Sequence, residues 1–387
     1  MFEDTFEMPW WFNAHTHSRG HVPQTKPKAC ALKLTGEAET KMCLQQALFQ
    51  KVVRLHAEGF WGGIHMPNLF DPYNGEADPI ITPWQVYRYR RAITGALPAG
   101  SSYRPYPAIQ LYDWTTTPML KEAKALDSLV AKAYMAGVTY SGYALTNLFS
   151  NRTLDNLKTM AQIGMPLSLH LGMPSDDLFK ETRLGLDMLK ELVRVTASFG
   201  PKGLKIILEH VPDWETLEAL LALPDRVGGT FTVHHLTTDA ERFWSNGHLI
   251  DPFFLCKPVL GFEDDRAAMI EALRRPRTRR RLWLGLDDAP HPKSAKLAKQ
   301  SPGIWMPSRV AISLLIELFE ANGLSLEALN EFACFNGPTF YGIKVPVRRM
   351  TLQREPFMVP DHFWVGDTGE QLIPLHAGQM CQWQLAA

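Results

Sequence analysis

Two histidines one residue apart, His15 and His17, close the segment Trp10-Trp11-Phe12-Asn13-Ala14-His15-Thr16-His17, an apolar run turning polar near the N-terminus. In an extended strand, side chains two apart share a face, so both imidazoles would project together while Ala14 and Thr16 face away. Paired imidazoles suit a divalent transition metal. His-x-His also arises by chance, so the pair gains meaning only from what joins it. Three further residues could: His170 at the end of Leu167-Ser168-Leu169-His170, His210 after Leu208-Glu209, and Asp287 after Leu284-Gly285-Leu286. Taken singly, each has an ordinary explanation. His170 could be a core histidine bonded to a carbonyl, His210 a helix cap, and Asp287 a turn or N-cap aspartate.

The elements that would bring these residues together alternate in type. A strand ending at His17 is followed by a polar loop and then by residues 38–58, where Leu44, Leu48, Val52 and Leu55 recur at helical spacing. A short strand over 62–68 leads to Thr82 and Pro83, which read as the N-cap and first residue of a helix reaching Ala96. Further strands are predicted over 105–112, 138–145, 166–171, 204–209, 230–235 and 281–287. The helices that follow them are predicted over 118–136, 154–163, 184–198, 214–223, 266–274 and 308–321. Eight strand-helix units without a composition break argue for an α/β fold of one kind, a (β/α)8 TIM barrel over residues 1–345, with 346–387 as a C-terminal extension packed on it. A doubly wound sheet would need a Gly-rich loop after the first strand, and the sequence has none there.

In a closed barrel the C-terminal strand ends converge on one mouth, where barrel enzymes keep their chemistry. His15, His17, His170, His210 and Asp287 all fall at such ends, and independent accidents would not all choose the same end. His234 and His235 fall on the seventh strand and would face opposite ways. His65 reads as packed near a strand end, and His21, His56, His248, His362 and His376 as surface or tail residues.

Composition narrows the partners. Forty basic and forty acidic residues cancel in a chain of 387, which argues against a nucleic-acid or anionic-membrane binder and for a small-molecule substrate. The arginines between Arg274 and Arg281 read as a solvated helix-to-strand connection. Cys30, Cys43, Cys256, Cys334 and Cys381 are scattered and lack Cys-x-x-Cys spacing, as expected of reduced thiols in a cytoplasmic protein. Glu3, Asp4 and Glu7 carry the wrong charge for a signal peptide, and no apolar run reaches ~18 residues.

The whole pattern resembles the amidohydrolase superfamily and, within it, dihydroorotase of the short bacterial type. Besides His15-Thr16-His17-Ser18-Arg19, the resemblance rests on His65-Met66-Pro67-Asn68-Leu69, Ile163-Gly164-Met165-Pro166-Leu167, Leu208-Glu209-His210 and Cys256-Lys257-Pro258-Val259-Leu260. It is completed by Gly285-Leu286-Asp287-Asp288-Ala289-Pro290-His291 and Asn336-Gly337-Pro338. It implies that His15, His17 and Asp287 hold one metal, that His170 and His210 hold or approach a second, and that Arg19, Asn68 and His291 grip a substrate carboxylate. It also implies zinc as cofactor, Asp287 as the catalytic proton carrier, a small carboxylate-bearing cyclic amide as substrate, a homodimer, and a place in pyrimidine biosynthesis that could include a pathway enzyme as partner.

One departure stands out. In the family the fourth strand supplies a lysine that is carboxylated and bridges two metals, and alignment of Gly137-Val138 with the start of that strand puts Tyr143 at the lysine's position. Residues 133–154 contain no Lys, Asp, Glu or Cys. The family's threonine-bearing loop is shortened as well, with Thr146 and Thr153 as weak stand-ins. Two dications about 4 Å apart repel by roughly 16 kcal/mol at an effective dielectric of about 20, so loss of an anionic bridge favours one zinc over two. Two other readings follow from the departure: a mononuclear amidohydrolase with a different substrate, and a catalytically silent scaffold subunit, for example for aspartate transcarbamoylase.

Overall fold

In the computed structural model, residues 2–18, 37–67, 79–138, 143–299 and 301–386 are described. Eight parallel strands form the expected barrel: β1 Trp11–Thr16, β2 Phe60–His65, β3 Arg104–Pro107 continuing as Ile109–Leu111, β4 Ala131–Tyr134, β5 Leu167–His170, β6 Ile206–Leu208, β7 Val227–Phe231 and β8 Leu282–Leu284. Every residue of these strands is buried except Arg104, as a parallel sheet covered by helices requires. The single residue Ala108 joins the two pieces of β3, and its N–H donates to His65 O of β2 at 2.9 Å. The ring closes where the first strand meets the last: Asp287 N–H donates to His15 O at 2.9 Å, His17 N–H to Asp288 O at 3.3 Å, and Leu286 N–H to the Asn13 side-chain oxygen at 2.9 Å.

Around the barrel lie α1 Glu37–Ala57, α2 Pro83–Ala96, α3 Thr117–Ala125, α4 Asn151–Ile163, α5 Leu186–Val195, α6 Trp214–Ala222, α7 Glu263–Arg274 and α8 Ser308–Ala321. Their starts follow local chemistry. Thr82 and Gln85 form a reciprocal capping box before Pro83, Ser150 caps α4, and Asp213 caps α6. No helix among the described residues is long and apolar enough to cross a membrane.

The fourth unit departs from the sequence reading. A helix over 118–136 and a strand over 138–145 were expected; α3 instead ends at Ala125, and β4 begins at Ala131. Leu126 caps the helix, and Asp127 takes a left-handed conformation at φ 63° that turns the chain away. Ala131-Lys132-Ala133-Tyr134 is built largely of good helix formers, but pairing with β3 and β5 overrides that preference. The N-terminal strand Thr5–Pro9 does not join the barrel. It pairs with Arg349–Met358, which pairs with Met380–Leu385, in an antiparallel sheet outside it. That sheet is fastened to α8 through Trp383 N–H, which donates to Ser313 Oγ at 2.8 Å.

Gly228 on β7 shows how tightly the interior is filled, because a Cβ there would lie 2.4 Å from the Trp283 ring of β8. The large indole occupies the space that a side chain on β7 would need.

Candidate metal centre

Strand ends deliver the donors. His15 Nε2 and His17 Nε2 lie 3.1 and 3.3 Å from the same Asp287 oxygen, Oδ1, and 3.3 Å from each other. Two nitrogen ligands of a tetrahedral zinc, each at about 2.0–2.1 Å, stand about 3.3 Å apart, so the triangle has the dimensions of a metal's donor shell. His15 Nδ1, on the far side of its ring, faces Glu209 Oε1 at 3.5 Å. A carboxylate behind a histidine orients the ring and leaves the other nitrogen for a metal.

Asn13 supports this corner from below. Its side-chain oxygen accepts from the N–H of both His15 and Leu286, at 3.1 and 2.9 Å, and its amide donates to Asp288 at 3.3 Å. One buried amide therefore ties the strand bearing the His pair to the strand bearing Asp287. Gly285 admits the close approach, since a Cβ there would meet Thr230 Cβ at 2.9 Å and His15 Cβ at 3.1 Å.

His210 and His170 complete the ring of imidazoles. The rings of His15 and His210 have centroids 5.4 Å apart, and those of His170 and His210 are 4.6 Å apart. Both His210 and Asp287 are non-glycine residues at positive φ, 39° and 48°. The barrel holds two strained backbones at its mouth, as functional sites often do. His210 N–H is secured by Thr230 Oγ1 at 2.7 Å.

Lys132 of β4 enters the same space. Strand alternation puts it on the face shared with Tyr134, whose ring centroid lies 4.4 Å from Nζ, and the ladder sets Tyr134 beside His170. The lysine is fully buried and contacts Glu209 Oε2, while Glu209 Oε1 accepts from Ser168 Oγ at 2.6 Å. Burial holds the Lys132 amine well below the ordinary lysine value, with Asp287 opposing. The expectation that Tyr143 stands at the inward position of the fourth strand is therefore corrected. Tyr143 follows β4, is 43 % exposed, and offers its carbonyl to Gln110 at 2.8 Å. A lysine does occupy the fourth strand; it lies eleven positions earlier, in a stretch whose helix-forming composition concealed it.

The electrostatics suit cation binding. Burial holds His15, His170 and His210 below the usual imidazole value, so all three are neutral near pH 7 with lone pairs to offer. For Asp287, burial pushes the carboxyl up, but His15 and His17 outweigh it and hold it well below the usual range. Neutral imidazoles and an ionised carboxylate face one another beside the buried amine, a donor set that suits a divalent metal.

Other expected positions divide. His291 is buried and lines a cavity of about 210 Å³ with Lys296, Gly303 and Trp305. Arg19 and Asn68 lie outside the described residues. Thr146 is engaged with Asp113 at 2.6 Å and Thr153 is tied into the start of α4, so neither stands in for a substrate-closing threonine. His65 is packed as expected, between Ser18 at 2.6 Å and Tyr103 at 2.8 Å. His56, expected at the surface, is buried and lies 3.4 Å from Asp288. His234 and His235 do not alternate on a strand; they fall in the short helix Val233–Thr237, capped by Thr232, with ring centroids 4.8 Å apart. Lys132, Glu209 in its supporting role, and Asn13 were the residues missed.

Comparison with known proteins bears on the family and the fold. No family model matches the chain. It is 36 % identical over 344 residues to a dihydroorotase of Halorhodospira halophila, covering 88 % of this chain and 94 % of that protein. It is 33 % identical over 337 residues to a dihydroorotase of Nitrosomonas europaea, covering 85 % and 90 %. Among solved structures, the dihydroorotase of Campylobacter jejuni superposes with a TM-score of 0.80 at 22 % identity, covering 100 % of this chain and 99 % of that one. The L-hydantoinase of Arthrobacter aurescens gives 0.68 at 13 %, covering 98 % and 83 %, so the barrel is shared more widely than the sequence. Extended similarity to curated relatives, on a barrel whose mouth gathers histidines, an aspartate and a lysine, leads to one conclusion: the chain belongs to the dihydroorotase family of metal-dependent cyclic amide hydrolases.

Proposed function

We propose that this chain interconverts dihydroorotate and N-carbamoyl-aspartate at a centre of two zinc ions. One ion would be held by His15, His17 and Asp287, the other by His170 and His210, with Lys132 between them as a carbamate. The observation that carries this reading is the burial of Lys132, within β4, near those histidines. A fourth strand without a lysine was the ground for expecting a single ion and, together with the shortened loop, for a silent scaffold. With Lys132 there, its amine, eased toward deprotonation by burial, can lose its ammonium proton to solvent and attack carbon dioxide: an N–C bond forms, one N–H proton leaves, and the resulting anion offsets the repulsion between two dications.

The ions would supply a nucleophile at neutral pH and Lewis acidity toward the amide carbonyl. The chain does the rest. Asp287, ionised and adjacent to both ions' ligands, takes a proton and returns it to the departing amide nitrogen. Glu209 keeps the His15 ring turned so that Nε2 faces inward. Arg19, Asn68 and His291 would hold the substrate carboxylate, Arg19 through the planar fork that matches it.

The test combines an assay of dihydroorotate opening with metal analysis of protein purified without added metal and labelled with 13C-bicarbonate. Turnover, two zinc ions per chain and a carbamate carbonyl resonance that disappears in Lys132→Ala are expected. One ion with no carbamate signal would overturn the dinuclear reading, and two ions without turnover of dihydroorotate would overturn the substrate. Arg19→Met should raise KM for this acidic substrate far more than for a neutral cyclic amide; equal effects would remove the carboxylate assignment.

A further inference from the structure

Beside the mouth, the segment after β7 carries a second group of soft donors that the proposed chemistry does not use. His234, His235 and Cys256 are all buried, and one potential ligand atom from each lies within 4.8 Å of the others. We propose that these three residues form a separate site for a thiophilic transition-metal ion, zinc or a softer one. Two imidazoles and a thiolate are a donor set that selects such ions over magnesium or calcium, which prefer oxygen.

His234 points to a ligand most directly. It is fully buried, and neither ring nitrogen has a hydrogen-bond partner among the described residues. Leaving both polar atoms of a buried imidazole unmatched is costly, and such groups call for a missing partner. The other two residues are held by bonds that an ion can replace. His235 Nδ1 is fixed by Thr232 Oγ1 at 2.8 Å, while Nε2 makes a long 3.3 Å contact to Val259 O, with the Pro258 backbone also nearby. One nitrogen anchored and the other loosely engaged is the arrangement of a metal-ligating histidine. The Cys256 thiol donates to Pro258 O at 3.1 Å, a weak bond for sulfur.

The site shares no residue with the group of His15, His17 and Asp287 and differs from it in chemistry, although it lies near enough for Asp287 to act on each of its members. Cys256 belongs to the segment before β8, and none of the residues that converge at the mouth is a cysteine. Binding exchanges a proton for the ion: the Cys256 S–H bond breaks, a sulfur–metal bond forms, and the proton passes to solvent. Both histidines bind through lone pairs without changing protonation. No oxidant or reductant takes part.

Cobalt tests this, because only a thiolate-ligated Co2+ gives a sulfur-to-metal charge-transfer band in the near ultraviolet. Zinc-loaded protein, kept free of thiol reductants, is titrated with Co2+ to equilibrium. The expected result is one further equivalent bound per chain, with the band growing in proportion. Cys256→Ser should abolish both the band and the additional equivalent, and His234→Gln should weaken the uptake by at least about tenfold. Cobalt X-ray absorption on the unmodified protein should find one sulfur among the ligands, a readout that no substitution can disturb. Absence of the band at saturating Co2+, or a band that survives in folded Cys256→Ser, would overturn the site. Neither outcome depends on the identity of the substrate, so this proposal and the assignment of function can fail separately.

Discussion

Ser168 of β5 donates to one oxygen of Glu209 at 2.6 Å, and the other oxygen of that carboxylate contacts Lys132 of β4. A single acid therefore aligns the residues that three neighbouring strands present to the barrel interior, and its first oxygen also faces His15 at 3.5 Å. This network makes Lys132 the most exacting position to test. Lys132→Ala should lower kcat by at least about 100-fold and reduce bound metal. A short carboxylate such as acetate, small enough to fill the space left by the side chain, should restore part of both. Measured rates and zinc content with and without acetate decide it; unchanged activity in Lys132→Ala would remove the lysine from the centre.

Asp287 and His17 should behave differently from their neighbours when replaced. Asp287→Asn keeps the shape but removes the charge and the proton acceptor, so kcat should fall by about 100- to 10,000-fold while the fold persists. His17→Ala should empty the ion on its side of the mouth. Inductively coupled plasma analysis of the folded variants checks both, and full metal occupancy in His17→Ala would sink its assignment.

Acid should weaken the metal-free protein before Asp287 titrates. Burial holds His170, His210 and His234 well below the usual imidazole value, and lowers His235 to about 4. In the unfolded chain each takes a proton near pH 6.5. Below that pH the unfolded chain binds protons that the folded one refuses, so stability is intact above about 6.5 and declines as the pH falls toward the folded values. At pH 5.5 each histidine costs on the order of 1 kcal/mol, and the four together several times that. Asp287, whose pKa is depressed in the fold, contributes stability that is lost only at pH values below about 3.9, so it does not alter this window. Urea unfolding of chelator-treated protein at pH 7.5 and 5.5 measures the difference, and a flat profile would contradict it.

Gly285→Ala should separate geometry from chemistry. Its methyl group would press on Thr230 and on the His15 Cβ, costing about 1–3 kcal/mol as other overpacked cores do and displacing His15 from Asp287. Gly228→Ala should cost stability through Trp283 instead. Thermal unfolding of both, set against zinc affinity, should show weakened metal binding in Gly285→Ala alone.

Much of this site could be read before any coordinates. His15, His17, His170, His210 and Asp287 announce themselves because each ends an apolar strand-like run, and a barrel sends all such ends to one place. Lys132 did not, for a physical reason: Ala, Lys and Met favour helix when considered locally, and only pairing with β3 and β5 makes residues 131–134 extended. The left-handed turn at Asp127 that separates α3 from β4 was the signal available, and it is a weak one. Asn13 and Glu209 were hidden differently. Their importance lies in bonds to residues far along the chain, which spacing cannot reveal.

The seam between the first and last barrel strands has a consequence for biosynthesis. Asn13 and Leu286, joined there by a hydrogen bond, are 273 positions apart, and His15 meets Asp287 at the same seam. A growing chain has the histidine pair almost from the start, but it has no pocket until the eighth strand has left the ribosome and the ring has shut. The donors that the seam brings together can therefore meet only once almost the whole barrel has been made.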